Sequence, residues 1–214
     1  MGDGTSVISL IISISSAIAA IASVVVAIVV GGMQTKQAER SQQITLFDKR
    51  YEIYQEALRI LSFAKFALVD DENATMPNYL VIANMVLTDY NLIKDGKFLV
   101  DHLFLQRTIK TASKEESDKA DRDLFYHDWD ANNKLLQLRE KIANTIKPSK
   151  FCFDEKIYNT LNACINELFD YILVFKNGNS QENERDKSLL VKYVLMIETD
   201  KTIEKMEEYL AITK

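Results

Sequence analysis

Residues 7–30 read VISLIISISSAIAAIASVVVAIVV and contain no charged, amide, Gly or Pro residue. As a helix, these 24 residues would measure about 36 Å, enough to cross a hydrocarbon core about 30 Å thick. A cleaved secretory signal would carry a basic segment before a shorter apolar core, whereas Asp3 is the only charged residue upstream. The stretch therefore predicts a transmembrane helix that stays attached to the chain.

Small and hydroxyl side chains recur through this stretch at alternating steps of three and four residues. They are Ser6, Ser9, Ser13, Ser16, Ala20, Ser23 and Ala27. This spacing places them on one helix face, where helices can approach closely or meet water. The face predicts a packing seam between helices, serines bonded to their own backbone, or the border of a lumen in a ring of copies. Simple monomeric anchoring is the remaining alternative.

Charge predicts the orientation of the span. Lys36, Arg40, Lys49 and Arg50 follow it, and no Lys or Arg precedes it. The positive-inside rule therefore predicts an outside N-terminus and a cytoplasmic C-terminal domain. The net charge of −5 over 214 residues argues against a general nucleic-acid-binding surface, so we expect no direct nucleic-acid partner.

The chain divides by composition into a transmembrane helix at 1–32, a juxtamembrane segment at 33–44 and a helical domain at 45–214. Gly31 and Gly32 permit a hinge, which would make the middle segment a flexible linker. Small or polar residues nevertheless continue the heptad face beyond Ala27 after one register slip, which would make the segment a helical stalk. Both alternatives remain open at this stage.

Helical periodicity runs through the rest of the chain. We predict helices at 46–69, 78–93, 98–112, 114–146, 155–176 and 189–212. The breaks are predicted at Asp70-Asp71-Glu72-Asn73 with Pro77 and at Asp95-Gly96, and a loop is predicted at 177–186 (NGNSQENERD). Ser113 and Glu116 form a capping-box pattern, and Asp154 can cap the following helix. Strand-like alternation bounded by turns does not occur in the sequence, so the fold class is predicted to be all-α.

Residues that commonly carry chemistry are few. Cys152 and Cys164 have no partner pair and are expected as buried thiols in a reducing cytosol. His102 and His127 do not complete a zinc-binding spacing with them. Phosphate-binding glycine loops and nucleophile elbows are absent from the sequence. We therefore predict no metal and no cofactor.

One array, Arg122-Asp123-Leu124-Phe125-Tyr126-His127, has the form R-x4-H and resembles the signature of HEPN domains. In that family, which is all-helical, the resemblance implies His127 as acid or base and Arg122 as the phosphate ligand in RNA cleavage. Surrounding carboxylates would repel a phosphate backbone and draw His127 into contact with an acid. They are Asp118, Asp121, Asp123, Asp128 and Asp130. The two site residues also lie about 140° apart around an ideal helix.

The whole architecture resembles the HEPN-like membrane accessory proteins of type VI-B CRISPR systems. That resemblance implies a homo-oligomeric ring forming a pore in a bacterial inner membrane, linked to an RNA-targeting nuclease in antiphage defence. Segments 46–54 and 151–157, with Tyr209-Leu210, also resemble recurring stretches in bacterial single-pass proteins.

Three functions follow as expectations. The first is a pore or membrane-perturbing protein, using the face of Ser9, Ser13, Ser16, Ala20, Ser23 and Ala27. The second is a membrane-tethered ribonuclease that uses Arg122 and His127. The third is a single-pass anchored adaptor. Enzymatic activity is left uncertain, with the acidic setting of the array weighing against it.

Overall fold

The computed structural model describes residues 3–69, 76–94, 96–173 and 180–211, without the side chains of 3–14, 17–19 and 180–183. No strand occurs in these ranges, as the sequence predicted. Several expectations lie outside them: the break residues 70–73, Asp95, the loop residues 177–179, the helix end beyond Leu173 and Ile212. The side chains of Ser6, Ser9 and Ser13 also lie outside.

The chain divides into two units, Met1–Asp48 and Lys49–Lys214. Helix α1 covers Asp3–Ala67. Its residues up to Asp48 belong to the first unit, and the rest belong to the second. Gly31, Gly32 and residues 33–44 are helical. The hydroxyls of Thr35 and Thr45 donate to the carbonyls four residues earlier, each at 2.9 Å.

Among the described residues, seven further helices make up the second unit together with the last turns of α1. They are α2 (Asn78–Asp89), α3 (Lys97–Thr111), α4 (Lys114–Ile146), α5 (Ser149–Cys152), α6 (Glu155–Ile172), α7 (Ser180–Thr199) and α8 (Thr202–Ala211). The N-terminal caps are those expected from the sequence. The backbone N–H of Ser113 donates to the Glu116 carboxylate at 3.3 Å, and the N–H of Ile157 donates to Asp154 at 2.7 Å.

Helix α6 is at the centre of this unit and contacts α2, α4, α5 and α7. Its inward side chains recur at helical spacing and are buried: Ile157, Leu161, Ile165, Leu168 and Ile172. The last turns of α1 add Ile53, Ala57, Ile60 and Ala64 to the same core. A single apolar core therefore holds the helices of the second unit together.

Arg50 joins three segments that the sequence singled out separately. Its guanidinium donates to the carbonyl of Cys152 at 2.8 Å and to that of Tyr209 at 3.3 Å. The Tyr209 ring in turn packs edge-on against Phe153, with ring centroids 5.6 Å apart. Charged hydrogen bonds to two helix carbonyls thus tie α1 to α5 and α8.

Two expectations about the C-terminal region were wrong. Residues 180–186, expected in a loop, form the start of α7, since the Gln, Glu and Arg residues among them are good helix formers despite their polarity. The final helix, expected to be continuous, is interrupted at Asp200 and Lys201, where Lys201 adopts a φ of 50°. Helix α2 also ends earlier than expected, at Asp89, before Asn91 with a φ of 56°.

Adjacent leucines on α4 test this core. Leu135 is completely buried, whereas Leu136 is 46% exposed. Leu135→Ala should lower the free energy of unfolding by about 2–5 kcal/mol, because it leaves a cavity in a packed core. Leu136→Ala should change it by no more than about 0.5 kcal/mol. Denaturant unfolding of the full chain in detergent measures both, and equal effects would contradict the assigned packing.

Candidate functional site

The polar side chains with the most convergent geometry lie between α3 and α4. The two helices run antiparallel, because His102 meets Asp128 while Ile109, about two turns later, meets Ser117. Helix α3 begins after Gly96, whose φ of 69° turns the chain into it. The capping box of Ser113 and Glu116 begins α4. These two helix starts bring His102 to face His127 and Asp128.

One carboxylate oxygen serves both histidines of the chain. Oδ1 of Asp128 lies 2.9 Å from Nδ1 of His102 and 3.2 Å from Nδ1 of His127. His102 is 3% exposed and Asp128 8%, while the side chain of His127 is 18% exposed. The cluster is therefore mostly buried, with His127 on its solvent side.

Neighbouring side chains orient the two imidazole rings. The ring of Phe98 stacks on His127, with centroids 4.9 Å apart and an interplanar angle of 11°. The amide of Gln106 lies 2.9 Å from Nε2 of His102. When the Gln106 N–H donates there, the ring carries its own proton on Nδ1 and donates it to Asp128.

The environment of Asp128 lowers the pKa of its carboxyl group. Burial by itself would raise the pKa of its carboxyl group, but hydrogen bonds and charge from His102 and His127 outweigh burial and hold that pKa below its usual range. Tyr79 reports the same negative charge. Burial, and then the charge of Asp128, raise the pKa of the Tyr79 phenol.

The structure does not group the two residues of the R-x4-H array as one set. Both lie on α4, but Arg122 is exposed, whereas His127 packs against Phe98, His102 and Asp128. Five residues along a helix also separate their directions by about 140°. The contact between His127 and a carboxylate follows the acidic neighbourhood noted in the sequence.

Sequence reasoning missed His102 and Gln106 as members of this site. His102 had been considered only as a partner for the cysteines, and the cluster joins residues 26 positions apart. Its one sequence signal is Phe98, His102 and Gln106 at steps of four, which puts them on one face of α3. The partner helix cannot be deduced from that spacing.

The cysteines behave as expected. Cys152 and Cys164 are free and buried. Burial raises the pKa of the Cys164 thiol to about 12, and burial also raises the pKa of Cys152 against the opposing charge of Arg50 and Lys49. Such thiols are poor nucleophiles and poor metal ligands at neutral pH.

The small-residue face of α1 belongs to the first unit. The side chains of Ser16, Ala20, Ser23 and Ala27 are exposed. They keep the one-face spacing on the helix that the sequence predicted. Ser9 and Ser13 lie on the same helix, with side chains outside the described set.

The acid dependence of stability tests the role of Asp128. Because its folded-state pKa lies below the unfolded value of about 3.9, its contribution is present above that pH and is lost as the pH falls through the folded pKa. Asp128→Asn should therefore lower the free energy of unfolding by about 1–3 kcal/mol near neutral pH. The difference from the native chain should shrink below about pH 4.

Denaturant unfolding as a function of pH measures this difference, with Asp118→Asn as the control at an exposed carboxylate on the same helix. A gap between native and Asp128→Asn chains that stays constant down to about pH 2 would contradict the assignment.

No protein-family model matches this chain, and no curated protein or solved structure is significantly similar to it. The resemblance to HEPN domains and to type VI-B CRISPR accessory proteins therefore stays a prediction. The functional interpretation rests on the side chains and surfaces of the chain itself.

Proposed function

We propose that this protein is a single-pass membrane protein that assembles with copies of itself into a pore or other membrane-perturbing ring. The observation that carries the proposal is an apolar helical surface without protein cover. One helix, within Ala20–Ala67, is long and apolar enough to cross a membrane. None of its most apolar stretch is buried by protein.

Seven large aliphatic side chains of α1 make up this surface. They are Ile21, Val24, Val25, Val26, Ile28, Val29 and Val30, and each is between 44% and 69% exposed. Burying a Val, Leu or Ile side chain is worth about 1.5–3 kcal/mol, so exposing all seven to water would forfeit on the order of 10 kcal/mol. A helix also satisfies its own backbone groups, which hydrocarbon requires. Lipid is the surrounding that fits both properties.

The polar and small positions of α1 favour assembly over simple anchoring. Ser16, Ala20, Ser23 and Ala27 share one face of the helix. Lipid does not drive helices together by the hydrophobic effect, so close approach depends on small side chains and hydroxyl groups. In a ring of copies, this face would form the contact between neighbouring helices or border the opening.

The second unit also presents apolar surface suited to self-association. On α3 and α4 the exposed large side chains are Val100, Leu103, Phe104, Phe125, Tyr126, Trp129 and Leu136. They recur at steps of three, four and seven, which places them on limited faces of the two helices. Exposed aromatic residues of this kind are typical of protein interfaces.

Location and biological setting complete the proposal. Lys36 and Arg40 follow the apolar stretch, which supports an outside N-terminus and a cytoplasmic second unit at a bacterial inner membrane. The resemblance to type VI-B CRISPR accessory proteins supports a role in antiphage defence, with permeabilisation following activation of an RNA-targeting nuclease. The acidic surroundings of Arg122 support an output at the membrane without direct contact to nucleic acid.

Dye release tests the pore. The full chain, reconstituted into dye-loaded vesicles, should release the dye. Ser16→Leu with Ser23→Leu should reduce release to the level of protein-free vesicles, because two large side chains would occupy the small-residue face. Ser15→Leu is the matched control, since Ser15 is exposed on the same helix but lies about 100° from Ser16.

The mass of the protein in detergent distinguishes loss of the opening from loss of assembly. The double variant should keep the oligomer of the native chain while losing release. Intact vesicles with the native protein, or a native protein that is monomeric in detergent and in the bilayer, would contradict the proposal.

A membrane-tethered ribonuclease is the second candidate, and the contact of His127 with Asp128 at 3.2 Å favours it. A carboxylate on Nδ1 orients an imidazole for acid–base chemistry at Nε2. If this is the activity, Arg122→Ala and His127→Ala should each abolish cleavage of RNA and the biological effect together. In the pore mechanism, dye release should survive Arg122→Ala, because Arg122 is exposed on α4, outside the small-residue face of α1.

A further inference from the structure

We propose that His102, His127 and Asp128 bind one divalent transition-metal ion of the zinc type, which joins α3 to α4. The three residues each offer one ligand atom, and these atoms lie within 4.8 Å of one another. The site does not depend on the pore proposed above, since it is built entirely from the second unit.

The two distances from Asp128 suit a metal polyhedron. In a tetrahedral zinc site with bonds of about 2.0–2.1 Å to nitrogen and oxygen, neighbouring ligand atoms are about 3.3 Å apart. Asp128 Oδ1 lies 2.9 Å from Nδ1 of His102 and 3.2 Å from Nδ1 of His127. An ion between these atoms would require those two separations to widen by only a few tenths of an ångström.

The donors also suit this class of ion. Two imidazoles and one carboxylate are borderline ligands that zinc, cobalt and nickel prefer, whereas calcium and magnesium select oxygen ligands. The Asp128 carboxylate, whose Oδ1 faces both imidazoles, would supply the negative charge that the ion needs. The 18% exposure of the His127 side chain gives an ion and a fourth, water ligand a route from solvent.

Gln106 and Phe98 supply the outer contacts that such sites use. A metal-bound imidazole donates its other ring N–H to an acceptor, which orients the ring. With its amide turned to present oxygen, Gln106 would accept that proton from Nε2 of His102, at the position where the two groups are now 2.9 Å apart. Stacking on Phe98 holds the plane of the His127 ring.

The ion can replace the protons on Nδ1 of the two imidazoles without upsetting the proton balance. In the ion-free cluster each neutral imidazole can carry its proton on Nδ1, facing Asp128. On binding, that proton moves to Nε2 of the same ring through solvent, and Nδ1 donates its lone pair to the ion. A ring that is neutral beforehand thus binds without net proton loss, a ring that is protonated beforehand releases one proton to solvent, and no oxidant or reductant is involved.

The chain is well suited to a direct test, because it contains only two histidines and both are in the cluster. The full-length protein would be purified in detergent through a tag without histidine and titrated with Zn²⁺ by calorimetry. We expect one saturable site per chain. X-ray absorption of the Zn²⁺-loaded native protein should show two imidazole ligands and no sulfur, and this result does not depend on any variant folding.

Variants identify the ligands. His127→Ala, His102→Gln and Asp128→Asn should each abolish saturable binding and the rise in unfolding midpoint that Zn²⁺ gives the native chain. Gln106→Ala, which removes only an outer contact, should weaken affinity by roughly 10–100-fold. Matched controls are Cys152→Ser with Cys164→Ser, and Asp118→Asn at an exposed carboxylate, all of which should bind as the native chain does.

The alternative is that the three side chains form only a hydrogen-bonded network. The proposal is overturned if the native chain binds no Zn²⁺ saturably, if the absorption spectrum shows sulfur or no imidazole, or if binding persists in the three ligand variants. If the native protein binds Zn²⁺ but releases no dye, only the pore proposal is contradicted.

Discussion

The constraint on which the rest of this protein depends is the uncovered apolar surface of α1. Between residues 20 and 30 its large side chains point away from any protein core, and water is a poor solvent for them. In the second unit the same helix buries Ile53, Ala57 and Ile60 among other helices. One helix therefore has an apolar part without protein cover and a part that is covered by the other helices of the second unit.

Within the second unit, stability and chemistry come from different layers. The apolar core around α6 supplies the burial that holds the helices together. Polar contacts at the edge of this core determine which helices meet, as the hydrogen bonds of Arg50 do for α1, α5 and α8. The histidine cluster lies between two helices under partial burial, which is why its chemistry differs from that of the exposed Arg122.

The pairing of His102 with His127 and Asp128 shows how burial changes the meaning of a sequence motif. In the sequence, His127 forms the R-x4-H array with Arg122, five residues earlier on the same helix. In the folded unit, His127 instead lies beside His102 of α3. Antiparallel packing of α3 and α4 brings together His102 and Asp128, which are 26 positions apart. A carboxylate shared by two imidazoles suits a proton network or a bound cation better than it suits an anionic phosphate.

The sequence alone determined the features that arise from neighbours within a few residues. Apolar periodicity predicted the helices and the buried face of Leu161, Ile165 and Leu168, and side-chain oxygens at Ser113 and Asp154 located two helix starts. Prediction from local sequence was wrong at 180–186, where a polar stretch is helical, and at Lys201, where a helical stretch is interrupted. Only the tertiary structure decided that His102, His127 and Asp128 meet, because packing of α3 against α4 depends on the shape of whole helix faces, which no short spacing encodes.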